Sequence, residues 1–174
     1  FYSEAMEELS NFAIKHNIPV TQTVMGYSTM KRDHSHFLGP IGGLGGKAAN
    51  DLAKQTDLAI AVGTKLADFT TGSWSNFENP KFALVAINVS RFDANKHLAQ
   101  AVVGDAKVSL NELSLALGDW KADDEWNKKS QIELKAWNEH VDNESAPSNQ
   151  EIPSYVQVIG CLLYTSPSPR DRVL

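Results

Sequence analysis

Two glycine-bearing stretches hold the residues whose type and spacing could do chemistry. Gly39-Pro40-Ile41-Gly42-Gly43-Leu44-Gly45-Gly46 stands just before a helical pattern and could turn bare backbone N–H groups toward a phosphate. It spells neither the dinucleotide fingerprint nor a P-loop, because no Gly-Lys-Ser or Gly-Lys-Thr follows. A Gly-rich connection packed tightly beside a sheet is the competing reading, and the residues alone leave both open. Gly63-Thr64-Lys65 follows a short apolar run, at the carboxyl end of a buried strand, where open α/β sheets bind ligands.

Other polar pairs carry less. His34 and His36 would share one face of an extended segment, a metal-like spacing, but no third ligand stands nearby. A structural or solvated pair is the reading adopted. Asp93 and His97 have the spacing of neighbours across one helical turn and read as a local pair. Trp126 and Trp137 read as packing residues. No Gly-x-Ser-x-Gly nucleophile elbow occurs.

The elements that must position these residues follow from periodicity. Ala5, Leu9, Phe12 and Ala13 recur at helical spacing up to His16, with Asn17 as the stop. Ile18–Thr23 reads as a strand, 33–46 as a loop rich in His and Gly, and Lys47–Gln55 as a helix. Asp57–Gly63 is a continuous apolar run of the kind buried on both faces of a parallel sheet. Phe82–Val89 and Ala101–Asp105 repeat it. Asp105 or Ser109 would cap a helix carrying Val108, Leu110, Leu113, Leu115 and Leu117. Strands alternating with helices predict an α/β fold with a doubly wound parallel sheet, Rossmann-like, followed by a connecting helix. Beyond Gly118 the composition turns charged, and the stripe Trp126, Leu134, Trp137, Val141 suits packing against a neighbour.

Composition narrows the function classes. The chain is 42% hydrophobic and 21% charged, with a formal net charge of −5. That balance and the scattered Lys and Arg argue against a nucleic-acid partner. No apolar run reaches the length of a membrane helix, and no signal-peptide pattern opens the chain. With Cys161 as the single cysteine, a disulfide framework is excluded, and the expected location is the cytoplasm.

The run Asp57-Leu58-Ala59-Ile60-Ala61-Val62-Gly63-Thr64-Lys65-Leu66-Ala67-Asp68-Phe69-Thr70-Thr71-Gly72-Ser73-Trp74 resembles the middle-domain signature of thiamine-diphosphate enzymes such as acetolactate synthase. The Asp68-Phe69-Thr70-Thr71-Gly72-Ser73-Trp74 form is more similar to the branch of trihydroxycyclohexane-1,2-dione hydrolases in inositol breakdown. Further likeness covers Gly39–Asn50, Asn88–His97 and Val103–Ala106, while Pro153–Gly160 resembles the entry to the family's C-terminal cofactor domain.

The resemblance implies an oligomeric, three-domain enzyme that uses thiamine diphosphate and magnesium. It would open a small cyclic dione to 5-deoxyglucuronate. The activating glutamate and the Gly-Asp-Gly motif of the family fall outside this sequence, so the resemblance assigns no catalytic and no metal-binding residue here. Some relatives bind FAD or ADP in the middle domain, and by that likeness Gly42, Gly43, Gly63, Thr64 and Lys65 would line the slot. Lys65 stands where flavin-binding relatives carry Arg, which points away from flavin and toward a domain that braces its neighbours. A carboligase related to acetolactate synthase and a free-standing nucleotide-binding module are the other readings.

The expected organisation is a central domain over 1–118 with its N-terminal edge cut, and a connecting helix and linker over 119–150. The start of a C-terminal cofactor domain follows over 151–160. Cys161–Asp171 back-translates onto a transposase-type sequencing adapter, so 161–174 are expected to be foreign to the protein.

Overall fold

A computed structural model describes residues 2–148 and 151–165. Five parallel strands carry the fold: β1 (Val20–Gln22), β2 (Phe37–Pro40), β3 (Leu58–Val62), β4 (Ala83–Asn88) and β5 (Gln100–Val103). They form two ladders, β1-β2 and β3-β4-β5. In the larger ladder Leu58 faces Ala83 and Val62 faces Ile87, while Val85 faces Gln100 and Asn88 faces Val103. The α/β class with parallel strands and flanking helices is as the periodicity predicts.

The helices are α1 (Met6–His16), α2 (Lys47–Ala53), α3 (Asp68–Thr71), α4 (Arg91–Ala94), α5 (Ala106–Leu117), α6 (Asp124–Ser145) and α7 (Tyr155–Thr165). Local chemistry sets their ends. Asn17 closes α1 in the left-handed conformation, with φ 54°. Asp105, rather than Ser109, caps α5 by accepting from the N–H groups of Lys107 and Val108. Asp123 caps α6 through the N–H of Glu125.

Alternation along β3 divides its side chains between two cores. Ile60 and Val62 join Phe12 of α1 and Leu110, Leu113 and Leu117 of α5 on one face. Ala59 and Ala61 join Leu84, Leu66, Trp74 and Phe82 on the other. A third core gathers Leu38, Ile41 and the Ala48, Ala49, Leu52 and Ala53 face of α2 beneath Trp126, Leu134 and Trp137 of α6. The tryptophans are thus packing residues. Together with Leu134 they cover α2, the neighbour against which the stripe packs.

Two expectations need correction. Residues 33–46 are not all loop, because β2 lies within them. Its residues Phe37 and Leu38 are buried, but Gly39 and Pro40 hide a strand from any propensity argument. β3 is buried less than its apolar run predicts: a core lies on each face, but β4 flanks it on one side only, Ala61 alone is fully buried and Leu58 is exposed. The strand buried as expected is β4, the central one, where Leu84, Ala86 and Ile87 are all buried. On α5, only Leu110 is fully buried, whereas Val108 and Leu115 face solvent.

A charged connector joins α5 to α6, and α1 holds it down. Fully buried His16 pairs through Nδ1 with the Trp120 carbonyl (2.7 Å) and through Nε2 with Ser114 Oγ (3.0 Å). The Ala122 N–H donates to the His16 carbonyl at 2.9 Å. Asn17 Nδ2 donates to the Ala122 carbonyl (3.2 Å) and to Asp124 (2.9 Å). α7 lies against α6, with Gly160 close to Ser145. It runs without interruption across residue 161, and 166–174 lie outside the described residues.

Truncating Leu110 to Ala should cost about 2–5 kcal/mol of unfolding free energy, since its side chain is 1% exposed at the meeting of α1, α5 and β3. Leu115→Ala, five residues on but 72% exposed, should stay within about 0.5 kcal/mol. Urea titration of both variants measures the contrast.

Candidate functional site

The expected slot residues sit at the carboxyl ends of β2 and β3. β3 exits through Gly63, whose N–H donates to the Ile87 carbonyl at 2.8 Å. Its φ of +64° turns the chain, and a Cβ built there meets nothing within 4 Å. Thr64 is pinned at its carbonyl by Asn88 Nδ2 (3.3 Å), and its Oγ1 accepts from the Leu66 N–H (3.3 Å). Lys65 is exposed, and its charge lies near the Asp93 carboxylate.

The glycine loop arrives at the same place from β2. Gly42 is buried at φ +104°, and a Cβ there would stand 2.4 Å from the Phe69 carbonyl oxygen. Gly43 donates its N–H to that same carbonyl at 2.8 Å. The structure therefore brings Gly42 and Gly43 against 69–70, a few residues beyond Gly63, Thr64 and Lys65.

What the loop does with its amides decides what it can bind. The N–H groups of Gly42, Gly43, Gly45 and Gly46 go to Asn50 Oδ1, Phe69, Gly42 and Pro40 respectively, at 2.8–2.9 Å. A phosphate cradle needs those donors unspent. Among the described residues, Thr64 and Lys65 keep backbone N–H groups without a protein partner at this edge. The loop is arranged as a packed joint.

Asn50 is the residue that sequence reasoning missed. Its Oδ1 accepts from the Gly42 N–H (2.9 Å) and from Asn76 Nδ2 (3.1 Å), while its Nδ2 donates to the Gly42 carbonyl (3.1 Å). One amide thereby ties α2, the glycine loop and the turn after α3 together. The available signal was a polar side chain beside the apolar face Ala48, Ala49, Leu52, Ala53.

The histidines resolve by tautomer. His34 Nδ1 accepts the His36 backbone N–H (3.1 Å), so its Nε2 carries the proton and donates to Ser10 Oγ (2.9 Å). A serine receiving a proton is not activated as a nucleophile. Asn17 spends its Nδ2 elsewhere, so its Oδ1 accepts from His36 Nε2 (3.2 Å), leaving His36 Nδ1 to accept from Ser35 (2.9 Å). The pair is structural. Burial, with His34 beside it, holds the buried His36 below its ordinary value of 6.5.

Asp93 and His97 do not pair. α4 ends at Ala94, and His97 takes a φ of +60°, which breaks the helical register. Asp93 instead binds Lys96 at 2.7 Å, and the His97 ring lies 4.5 Å from that of Trp74. Among the described residues no three His, Cys, Asp or Glu side chains converge as metal ligands, and no helix is long and apolar enough to cross a membrane.

Comparison with known proteins places this architecture. Residues 1–113 match the family described as thiamine pyrophosphate enzyme, central domain. The chain belongs to that family. It is 43% identical over 140 residues to 3D-(3,5/4)-trihydroxycyclohexane-1,2-dione hydrolase of Clostridium perfringens (strain 13 / Type A), covering 80% of this chain and 22% of that protein. The protein of the same name from Geobacillus thermodenitrificans is 38% identical over 170 residues, 91% of this chain and 26% of the relative. In Clostridium botulinum (strain Alaska E43 / Type E3) the figures are 48% over 112 residues, 64% and 17%. The chain thus spans about a fifth to a quarter of the length of its longer-matching relatives.

The family's name implies thiamine pyrophosphate, and the described residues do not fit it. The N–H groups of Gly42, Gly43, Gly45 and Gly46 are consumed, and among the described residues no carboxylate cluster stands ready for the cation that accompanies a bound diphosphate.

Two measurements probe this region. Gly42→Ala combines a left-handed φ with a collision against backbone and should cost roughly 3 kcal/mol or more, whereas Gly63→Ala, in open space, should cost about 1 kcal/mol, by thermal unfolding. The depressed His36 is neutral in the fold and binds its proton more readily when unfolded. Its stabilisation is complete above pH 6.5 and is lost as pH falls through the lower folded value. Glu8, Asp93 and Asp105 are themselves held below their ordinary 4.5, 3.8 and 3.8, so their losses come at still lower pH. The unfolding temperature should therefore begin to drop just below pH 6.5, and His36→Gln should flatten that first step.

Proposed function

We propose that the full-length protein to which this chain belongs hydrolyses a carbon–carbon bond of trihydroxycyclohexane-1,2-dione, opening the ring to 5-deoxyglucuronate. The carrying observation is the run of relatives bearing that name at 38–48% identity, one of them aligned across 91% of this chain. In this reading the enzyme is a cytoplasmic homo-oligomer using thiamine diphosphate and magnesium, both held by domains outside the chain. Residues 1–118 form the central domain, 119–150 the connection and 151–160 the entry to the cofactor domain, with 161–174 adapter-derived.

The central domain's part is then to brace its neighbours. Gly42, Gly43, Gly63, Thr64 and Lys65 keep the outline of a nucleotide slot, but spent loop amides and the packing of Gly42 on Phe69 favour a joint over an FAD or ADP site.

The test starts from the source locus read past the codon for Gly160, followed by expression of the complete enzyme. Thiamine-diphosphate-dependent consumption of the cyclic dione is expected, with a Lys65→Met variant keeping kcat within about twofold and calorimetry showing neither FAD nor ADP bound below ~1 mM. Release of acetolactate from pyruvate together with tight FAD binding would instead identify a carboligase. A native stop codon just after Leu174 would overturn the enzyme reading.

A further inference from the structure

The outer strands β2 and β5 treat their free edges differently. The Ile41 N–H donates to the Gln22 carbonyl at 2.9 Å, so Gly39 and Ile41 turn their backbone groups to β1, and Pro40 lies on the outer side. A proline there offers no N–H, and α6 packs against the same strand. β5 has no such guard. It reads Gln100-Ala101-Val102-Val103, with neither proline nor lysine, and its register against β4 runs without a bulge. Natural edge strands are usually blunted by one of these devices.

Hydrogen-bond parity identifies the free groups on β5. In a parallel strand each residue turns its N–H and C=O to one side, and the next residue turns them to the other. The Gly104 N–H donates to the Asn88 carbonyl at 3.2 Å, so the even positions of β5 serve β4. Ala101 and Val103 therefore turn theirs outward, where no further strand pairs among the described residues. Ala99 is extended as well, with its N–H spent on the Lys96 carbonyl (3.1 Å), and by the same parity its carbonyl faces out. Apolar side chains surround this edge. Val103 is 52% exposed, Leu98 is fully exposed, and Val102 and Val108 open onto a groove between β5 and α5.

Charge and symmetry select the occupant. Lys96 and the exposed His97 flank the amino end of β5, whereas Asp105 follows its carboxyl end and Glu112 lines the groove there. Lys107, beside Asp105, is already held by Glu8 at 3.1 Å. An antiparallel second copy lays the basic end of one strand along the acidic end of the other, twice over. A parallel copy would set like ends together. With a two-fold axis at Ala101, the two Ala101 residues exchange N–H and C=O with each other, and the Val103 N–H of each copy reaches the outward Ala99 carbonyl of the other.

We propose that β5 is a homotypic interface, in which two copies of the chain pair their β5 strands antiparallel about a two-fold axis at Ala101. The sheets of both copies then run on as one, and Val102 of each is covered by Gln100 of the other. This inference concerns the edge of the sheet and stands or falls apart from the catalytic reading.

Paired cysteines in the full-length protein test it. In this register Gln100 stands opposite Val102 of the second copy as a non-hydrogen-bonded pair, with Cα atoms about 4.5 Å apart and within disulfide reach. The double variant Gln100→Cys/Val102→Cys should form a covalent dimer under mild oxidation, and so should a mixture of the two single variants. Either single variant alone should link at least ~10-fold less. Adding Ala101→Pro to the double variant should cut linking at least ~10-fold and leave the unfolding temperature nearly unchanged, because β4 does not use that N–H. A double variant that keeps the parent's unfolding temperature yet forms no covalent dimer would overturn the proposal. Equal linking by the single variants would do the same, since it marks random collision. Slow amide exchange at Ala101 and Val103 in a protein whose double variant stays unlinked would put another segment of the polypeptide on this edge, and that also removes the second copy.

Discussion

The side-chain amide of Asn50 is the constraint on which the carboxyl edge depends. Its oxygen receives two donors from different segments, and its nitrogen returns a bond to one of them. A neutral amide shielded by the Ala48–Ala53 face can hold such a joint, because each polar atom it brings inside is matched. Gly42 can approach Phe69 closely only because Asn50 fixes both the N–H and the C=O of that glycine. The backbone path after β3 and the path after β2 are therefore one structure, although nearly twenty residues separate them in the chain.

A second joint works the same way at the opposite end of α1. His16 and Asn17 spend their polar groups on Ser114, Trp120, Ala122 and Asp124, which turns a charged connector into an ordered strap. α6 then lies where Trp126, Leu134 and Trp137 can seal α2. The order of events is sequence to cap to packing. Asn17 ends the helix in the left-handed conformation, and that ending aims its side chain at α6.

Much of the architecture was legible because it is written locally. The apolar runs of β3 and β4, the stop at Asn17 and the cap at Asp105 are all decided within a few residues. β2 was not legible, since Gly39 and Pro40 occupy half of a four-residue strand whose burial comes from elsewhere. The Asp93–His97 pair failed because helical spacing predicts contact only while a helix continues, and α4 stops at Ala94. The unpaired edges of β1 and β3 lie furthest from sequence reasoning. Strand identity is local, whereas the choice of ladder partner is set across the fold. At the site, the positions of Gly42, Gly43, Gly63, Thr64 and Lys65 were legible, but the fate of their amides depended on Asn50 and Phe69.

The packing of Gly42 also bears on how such loops age. Its lack of a side chain is enforced by a carbonyl 2.4 Å from where a Cβ would sit, whether or not anything binds nearby. A lineage that gave up a nucleotide would go on keeping that glycine for the sake of the joint. Lys65, exposed and answerable to little but solvent and the Asp93 carboxylate, is free to drift once a ligand is gone. The history of binding is then recorded at the side chain that can change, and the glycines record the architecture alone.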